Sequence, residues 1–101
     1  MSIHVYEDEK TGEVVIALGR NFDFNAKMEF YWAYSSFEPC RNFLIDFNDV
    51  EFVDYSSLIT LLMFKEYISG FNSKVAISGC EHDGINTFLN LPMFDGYFEL
   101  R

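Results

Sequence analysis

Phe47-Asn48-Asp49-Val50-Glu51-Phe52-Val53-Asp54-Tyr55-Ser56-Ser57-Leu58 carries the pattern from which the rest of this chain is read. It has the form of a buried strand's end, a short acidic loop and two serines opening an apolar helix. The first N–H groups of a helix lack intrahelical partners and lie at the positive end of its dipole, so a hydroxyl presented there is a natural place for a phosphate. The simpler role for Ser56 or Ser57 is an N-cap, accepting a bond from the backbone two or three residues on. On physics alone that role ranks first.

Upstream of this stretch, residues 42–47 form a nearly continuous apolar run through Phe43, Leu44, Ile45 and Phe47, as expected for a strand covered on both faces. Asp46 interrupts it and must face the strand's end or find a partner. Downstream, a helix is expected over 56–69, closed by Gly70. Leu58, Leu61, Leu62 and Ile68 would face the core, while Ile59, Met63 and Tyr67 form a second stripe turned partly outward.

Toward the N-terminus, strands are expected over 3–6 and 13–18, joined as a hairpin by a polar turn ending in Gly12. A connecting loop over 19–25 contains the next helix start, with Asn25 the best N-cap and Asp23 a second. Over 26–37, Ala26, Phe30, Ala33 and Phe37 make a core-facing stripe that Met28, Tyr31, Trp32 and Tyr34 widen. Pro39 ends that helix. Toward the C-terminus a strand is expected over 74–80, a weaker helix over 81–91 with Ile85, Phe88 and Leu89 on one side, and a last strand over 97–100. The order β-β-α-β-α-β-α-β gives an α/β fold in a single domain. Its mixed sheet of four to five strands has a mostly parallel core, with helices packed on it. The loop before Ser56 then falls at the carboxyl ends of the strands, where functional loops gather.

At 101 residues the chain has room for one core. Half of it is hydrophobic, with 12 phenylalanines, which excludes disorder and promises a core of bulky rings. Sixteen acidic against seven basic residues give a net charge of −9. Such a surface repels phosphate backbones and anionic headgroups, so nucleic acid and electrostatic membrane docking are not expected. Proteins with a neutral or basic face are the expected partners. Cys40 and Cys80 make no CxxC pair and read as reduced, packed thiols. The N-terminus lacks the features of a signal peptide, and no apolar run is long enough for a membrane span, which points to a cytoplasmic protein.

Catalytic chemistry is thin. There is neither a GxGxxG nor a Walker-type loop, and His4 and His82 have no neighbours at ligand spacing. Nothing groups a serine or cysteine with a histidine and an acid. Asp46, Asp49, Glu51 and Asp54 form an acidic cluster with the chemistry to hold a divalent cation, but a solvated loop beside a partner site is the expected role. No enzyme activity, catalytic residue, metal or cofactor is expected.

The same residues resemble the STAS domain signature, in which a buried strand ending in Asp leads to a hydrophobe-Asp-Ser-Ser-Gly-Leu motif opening an apolar helix. Phe43-Leu44-Ile45-Asp46-Phe47 matches the strand, and Val53-Asp54-Tyr55-Ser56-Ser57-Leu58 with Leu61-Leu62 matches the motif. Leu18-Gly19, Phe22 and Asp23 match the family's strand-loop-helix entry, and Val75 to Gly79, Ile85, Phe88-Leu89 and Phe94 its last helix unit. The resemblance implies a bacterial anti-anti-sigma factor acting in partner switching and transcription regulation. Such a domain binds an anti-sigma factor that is also a serine kinase, and loses that partner when phosphorylated. By alignment Asp54 takes the motif Asp, Tyr55 the first Ser, Ser56 the phosphorylated Ser and Ser57 the Gly, with Ser57 the alternative acceptor. Asp23, Asp54, Tyr55, Ser56, Ser57, Ile59, Met63 and Tyr67 are then the expected partner-binding residues. The alternative implied by the resemblance is a STAS subunit of a membrane lipid ABC transporter that grips the ATPase component. A ligand or nucleotide sensor using the loop near Asp23 and Asp54 has less behind it, since no basic or glycine-rich loop is present to hold phosphates. The sequence leaves the oligomeric state open.

Overall fold

A computed structural model describes residues 3–79 and 98–101. Strands β1 (His4–Glu7), β2 (Val14–Ala17), β4 (Phe43–Asp46), β6 (Val75–Ser78) and β7 (Glu99–Leu100) form one five-stranded sheet in the order β1-β2-β4-β6-β7. Only β1 runs antiparallel to its neighbour; β2, β4, β6 and β7 pair in parallel. This is the mixed, parallel-core α/β sheet expected from the alternation of elements. The central strands form where Val, Ile and Phe run without interruption, because both of their faces are shielded from water. Helices α1 (Lys27–Ser35) and α2 (Tyr55–Tyr67) complete the described elements, with a 3₁₀ turn at Phe24–Ala26. The helix expected over 81–91, together with Cys80 and His82, lies outside the described residues.

Two further strands were not expected. β3 (Asn21–Phe22) and β5 (Phe52–Val53) pair in parallel as a separate two-stranded sheet. Each is too short to show a period in sequence, and each sits in a stretch read as loop. Together they hold the β2–α1 and β4–α2 connections side by side. Glu51 N–H (2.7 Å) and Phe52 N–H (3.2 Å) both donate to the Arg20 carbonyl, and Arg20 pairs with Glu51 at 2.6 Å.

The core is a network of rings. Phe22, Phe30, Phe43, Phe47 and Phe64 are fully buried. Phe64 of α2 meets Tyr34, Phe43 and Phe30 edge-on, with centroids 4.9, 5.2 and 5.7 Å away, and Phe22 meets Phe30 and Phe47 at 5.4 and 5.8 Å. Edge-to-face pairs set the negative face of one ring against the positive edge of another, adding to the gain from burial. On α2, Leu61 and Ile68 are buried as expected, while Leu58 and Leu62 are half-buried against the core.

Other expectations are corrected. Met28, Tyr31 and Trp32 do not widen the core stripe of α1; they are exposed, and only Tyr34 of that group is buried. Four apolar residues on several sides of one helix cannot all face one sheet. α1 also ends before Pro39: Ser36 Oγ donates to the Trp32 carbonyl at 2.6 Å and closes the last turn. Asn25 is not the N-cap. Asp23 caps the 3₁₀ turn by accepting the Asn25 N–H at 3.0 Å, and α1 continues from that turn without a side-chain cap. Cys40 is exposed rather than packed. Asp46 resolves its position at the strand's end, accepting from Asn48 N–H at 2.8 Å and Asn48 Nδ2 at 2.6 Å.

Among the described residues Tyr34 is the buried ionisable group of the core. Burial first, then the neighbouring Tyr31 and Tyr67, push its pKa up to about 12 from an ordinary 10.0. The folded protein therefore favours the neutral phenol. Its contribution to stability is intact below pH 10.0 and is lost as pH rises toward 12. Tyr34→Phe should lose stability less steeply than wild type across that window, as read by urea melts at successive pH values. Parallel pH profiles would remove Tyr34 from the account of alkaline unfolding.

Candidate functional site at the start of helix α2

The site is built at the carboxyl ends of β2 and β4. Phe47 N–H donates to the Ser78 carbonyl and Leu18 N–H to the Asp46 carbonyl, so the strand ends are tied before the chain turns out. Val50 drops back into the core, buried although it lies in the loop. β5 then delivers Asp54 to the start of α2.

Asp54, not Ser56 or Ser57, is the N-cap. Its backbone is extended, and its Oδ1 accepts the Ser57 N–H at 3.1 Å. Ser57 answers by accepting the Asp54 N–H on its hydroxyl oxygen at 3.3 Å, completing a capping box with serine in the place usually held by Glu or Gln. The anion site expected at this helix start is thus filled by the protein's own carboxylate. The Ser56 hydroxyl bond first, then backbone and side-chain bonds from Ser57 and the backbone of Phe24, hold the Asp54 carboxyl below its ordinary value, against partial desolvation.

The two serines part company. Ser57 is fully buried, and its hydroxyl donates to the Phe22 carbonyl, which pins α2 to β3. The side chain that replaces the motif glycine therefore points inward, away from any surface a partner would approach. Ser56 is half-buried and donates its hydroxyl to Asp54 Oδ1 at 2.5 Å. Its carbonyl accepts from Thr60 Oγ1 at 3.0 Å, which closes the first turn. Ser57→Ala removes one hydroxyl bond each from the Phe22 carbonyl and the Asp54 N–H in one step. It should cost about 0.5–1.5 kcal/mol in chemical denaturation, the net worth of a typical hydrogen bond. A loss below 0.5 kcal/mol would mean that water replaces the hydroxyl.

Around Ser56 the outward stripe is Tyr55, Ile59 and Met63, which are 85%, 55% and 43% exposed and recur every four residues along α2. Tyr67 does not extend it. That ring is half-buried against Tyr34, and its hydroxyl donates to the Phe37 carbonyl at 3.0 Å. Met63 instead continues the stripe onto α1, where it shares an apolar groove of about 260 Å³ with Met28, Tyr31, Tyr34, Thr60 and Lys27. Phe24 and Phe52, on the connections beside the site, are also largely exposed. Sequence reading did not single out these two, and assigned Met28 and Tyr31 to the core. The signal available was their number: more bulky apolar residues than one side of a small sheet accommodates.

The acidic residues of this region are not brought together. Asp46 engages Asn48, Glu51 engages Arg20, Asp54 caps α2 and Asp23 caps the 3₁₀ turn. Among the described residues no group of three or more His, Cys, Asp or Glu is placed to hold a metal, and no helix is long and apolar enough to cross a membrane.

No family model matches the chain. A STAS-domain containing protein of Pseudomonas aeruginosa strain UCBPP-PA14 is 26% identical to it over 90 residues, 87% of each chain. That relative, the motif running from β4 into α2 and the mixed parallel-core sheet agree: the chain is similar to STAS domains in sequence, and its α/β fold is consistent with theirs.

Proposed function

We propose that this domain is a non-enzymatic, protein-binding regulatory module. It docks through the start of α2 and is switched by phosphorylation at Ser56. The observation that carries the reading is the placement of Ser56. Its hydroxyl lies in the first turn of α2, on the same helix as the exposed Tyr55–Ile59–Met63 stripe, and is held by the Asp54 carboxylate at 2.5 Å. Ser57 is the poorer acceptor, because its hydroxyl is buried and committed to β3.

A phosphate on Ser56 brings about −1.5 to −2 charges and three acceptor oxygens. The nearest N–H it would seek, that of Ser57, already serves Asp54. The new charge therefore stands against the Asp54 carboxylate and projects toward the docking side. An apolar surface with a dianion at its edge loses partners that bind by close packing. The partner class that fits this reading is an anti-sigma protein that is itself a serine kinase.

The test is a pull-down from the native cells with wild-type, Ser56→Asp and Met63→Glu baits, the bound proteins and the state of Ser56 being read by mass spectrometry. Capture of a kinase-like protein by wild type, with loss on both variant baits, is the expected result. A transporter ATPase retained on all three baits would replace this reading with that of a transporter subunit.

A further inference from the structure

Among the described residues strand β1 is one of the two edges of the sheet, and its hydrogen-bonding pattern specifies how it can pair. Asp8 N–H donates to the Glu13 carbonyl at 2.8 Å, whereas Val14 N–H turns away to the Asn42 carbonyl beside β4. Hydrogen-bonded pairs alternate along an antiparallel ladder. In the observed register His4 opposite Ala17 and Tyr6 opposite Val15 are therefore the bonded pairs. Val5 and Glu7 turn their N–H and C=O groups to the open edge. The whole strand is exposed, with Val5 38% and Tyr6 54% accessible. Beside this edge, on the α1 side, lies a second groove of about 300 Å³ lined by Ile3, Val5, Glu29, Trp32, Ala33 and Ser36, with Trp32 63% exposed.

We propose that the β1 edge pairs with the β1 edge of a second copy of this chain, antiparallel about a two-fold axis, joining the two five-stranded sheets into one. The strand's own residues select the copy and the register. Only registers that set Val5 and Glu7 opposite one another or opposite themselves satisfy the outward groups. Val5 opposite Val5 would also call on the Ile3 N–H, which already donates to the Glu29 carboxylate at 3.0 Å. Glu7 opposite Glu7 would set Val5 against the partner's Glu9, which lies in the turn beyond β1, and would crowd two Glu7–Arg41 ion pairs against each other. The remaining register sets Val5 opposite the partner's Glu7 and makes four backbone hydrogen bonds. Tyr6 then meets the partner's Tyr6 on the axis, at the position where opposed side chains come closest. The same register lays His4 against the partner's Asp8, so a hydrogen-bonding pair of complementary chemistry closes each end. Because the axis stands perpendicular to the sheet, both α1 helices fall on one face. Each Trp32 and its groove then flank the axis, and the interface is isologous.

Sedimentation equilibrium over a wide concentration series tests this. Physiological salt is needed to screen the repulsion between two copies of charge −9. Wild type should approach twice 11.8 kDa, while Val5→Pro and Tyr6→Glu should remain at 11.8 kDa with unchanged circular dichroism. Val5→Pro deletes an N–H that turns away from β2 to the edge, and Tyr6→Glu places two carboxylates on the axis. Amide exchange on the wild-type chain gives a readout free of any variant's folding: the Val5 and Glu7 amides should slow as concentration rises. A mass of 11.8 kDa throughout, or a dimer that survives both substitutions, would overturn the proposal.

Discussion

Phe64→Ala should lower the stability of this domain by about 3–5 kcal/mol, the range for truncating a fully buried aromatic. Phe64 is the side chain through which α2 enters the core. It lies between Phe30 and Tyr34 of α1 and Phe43 of β4, within 5.7 Å of each ring centre, and has no exposed surface. Removing it loses the transfer energy of the ring, leaves a cavity walled by stiff neighbours and breaks three edge-to-face contacts at once. Domains of this size are stable by only about 5–15 kcal/mol, so the variant should be partly unfolded at ambient temperature. Chemical denaturation with circular dichroism measures it. A loss below about 1.5 kcal/mol would show that the neighbouring rings collapse into the space, contrary to the packing described.

Gly79→Ala comes second, at roughly 2–4 kcal/mol from left-handed backbone strain plus overpacking. Gly79 follows β6 with φ of +80°, and a Cβ there would lie 2.5 Å from Asn48 N and 2.7 Å from Asn48 Cα. Those are backbone atoms of the loop that leads to the site, and the Asn48 N–H is held by Asp46 at 2.8 Å. The loop cannot yield without giving up that bond. The substitution should therefore both destabilise the fold and displace residues 48–51, a change visible as amide shift differences in that segment by NMR. Gly70→Ala is the control: its φ is also positive, at +88°, but a Cβ would meet nothing within 4 Å, so only the backbone strain is incurred and the loop stays in place.

The parts of this molecule legible in the sequence are those where one physical signal dominates. Val14–Ala17, Phe43–Asp46 and Val75–Ser78 are apolar runs of strand length, and the sheet follows from them. α2 was legible because Leu58, Leu61, Leu62 and Ile68 recur at helical spacing, although Phe64, the ring that carries it into the core, was not singled out. α1 was harder to orient. With Met28, Tyr31, Trp32 and Tyr34 set around Phe30 and Ala33, periodicity gives a helix but no unique face. The start of α2 was legible as a helix start, and its cap was not. The double serine drew the cap to itself, although Asp54 stands three residues before Ser57 with the chemistry of a capping box. The inward turn of Ser57 depends on the Phe22 carbonyl, 35 residues away in sequence, and no local pattern reports that. Tyr67 was placed on the outward stripe for a similar reason, since its bond to the Phe37 carbonyl spans 30 residues.

Binding of the captured partner, titrated by calorimetry against wild type, Ser56→Asp and domain phosphorylated at Ser56, tests the switch most directly. The account predicts at least a tenfold loss of affinity for both modified forms, about 1.4 kcal/mol or more, with melting temperatures little changed. Equal affinity for all three would contradict it, and would leave the Ser56–Asp54 pair as a helix start and nothing more.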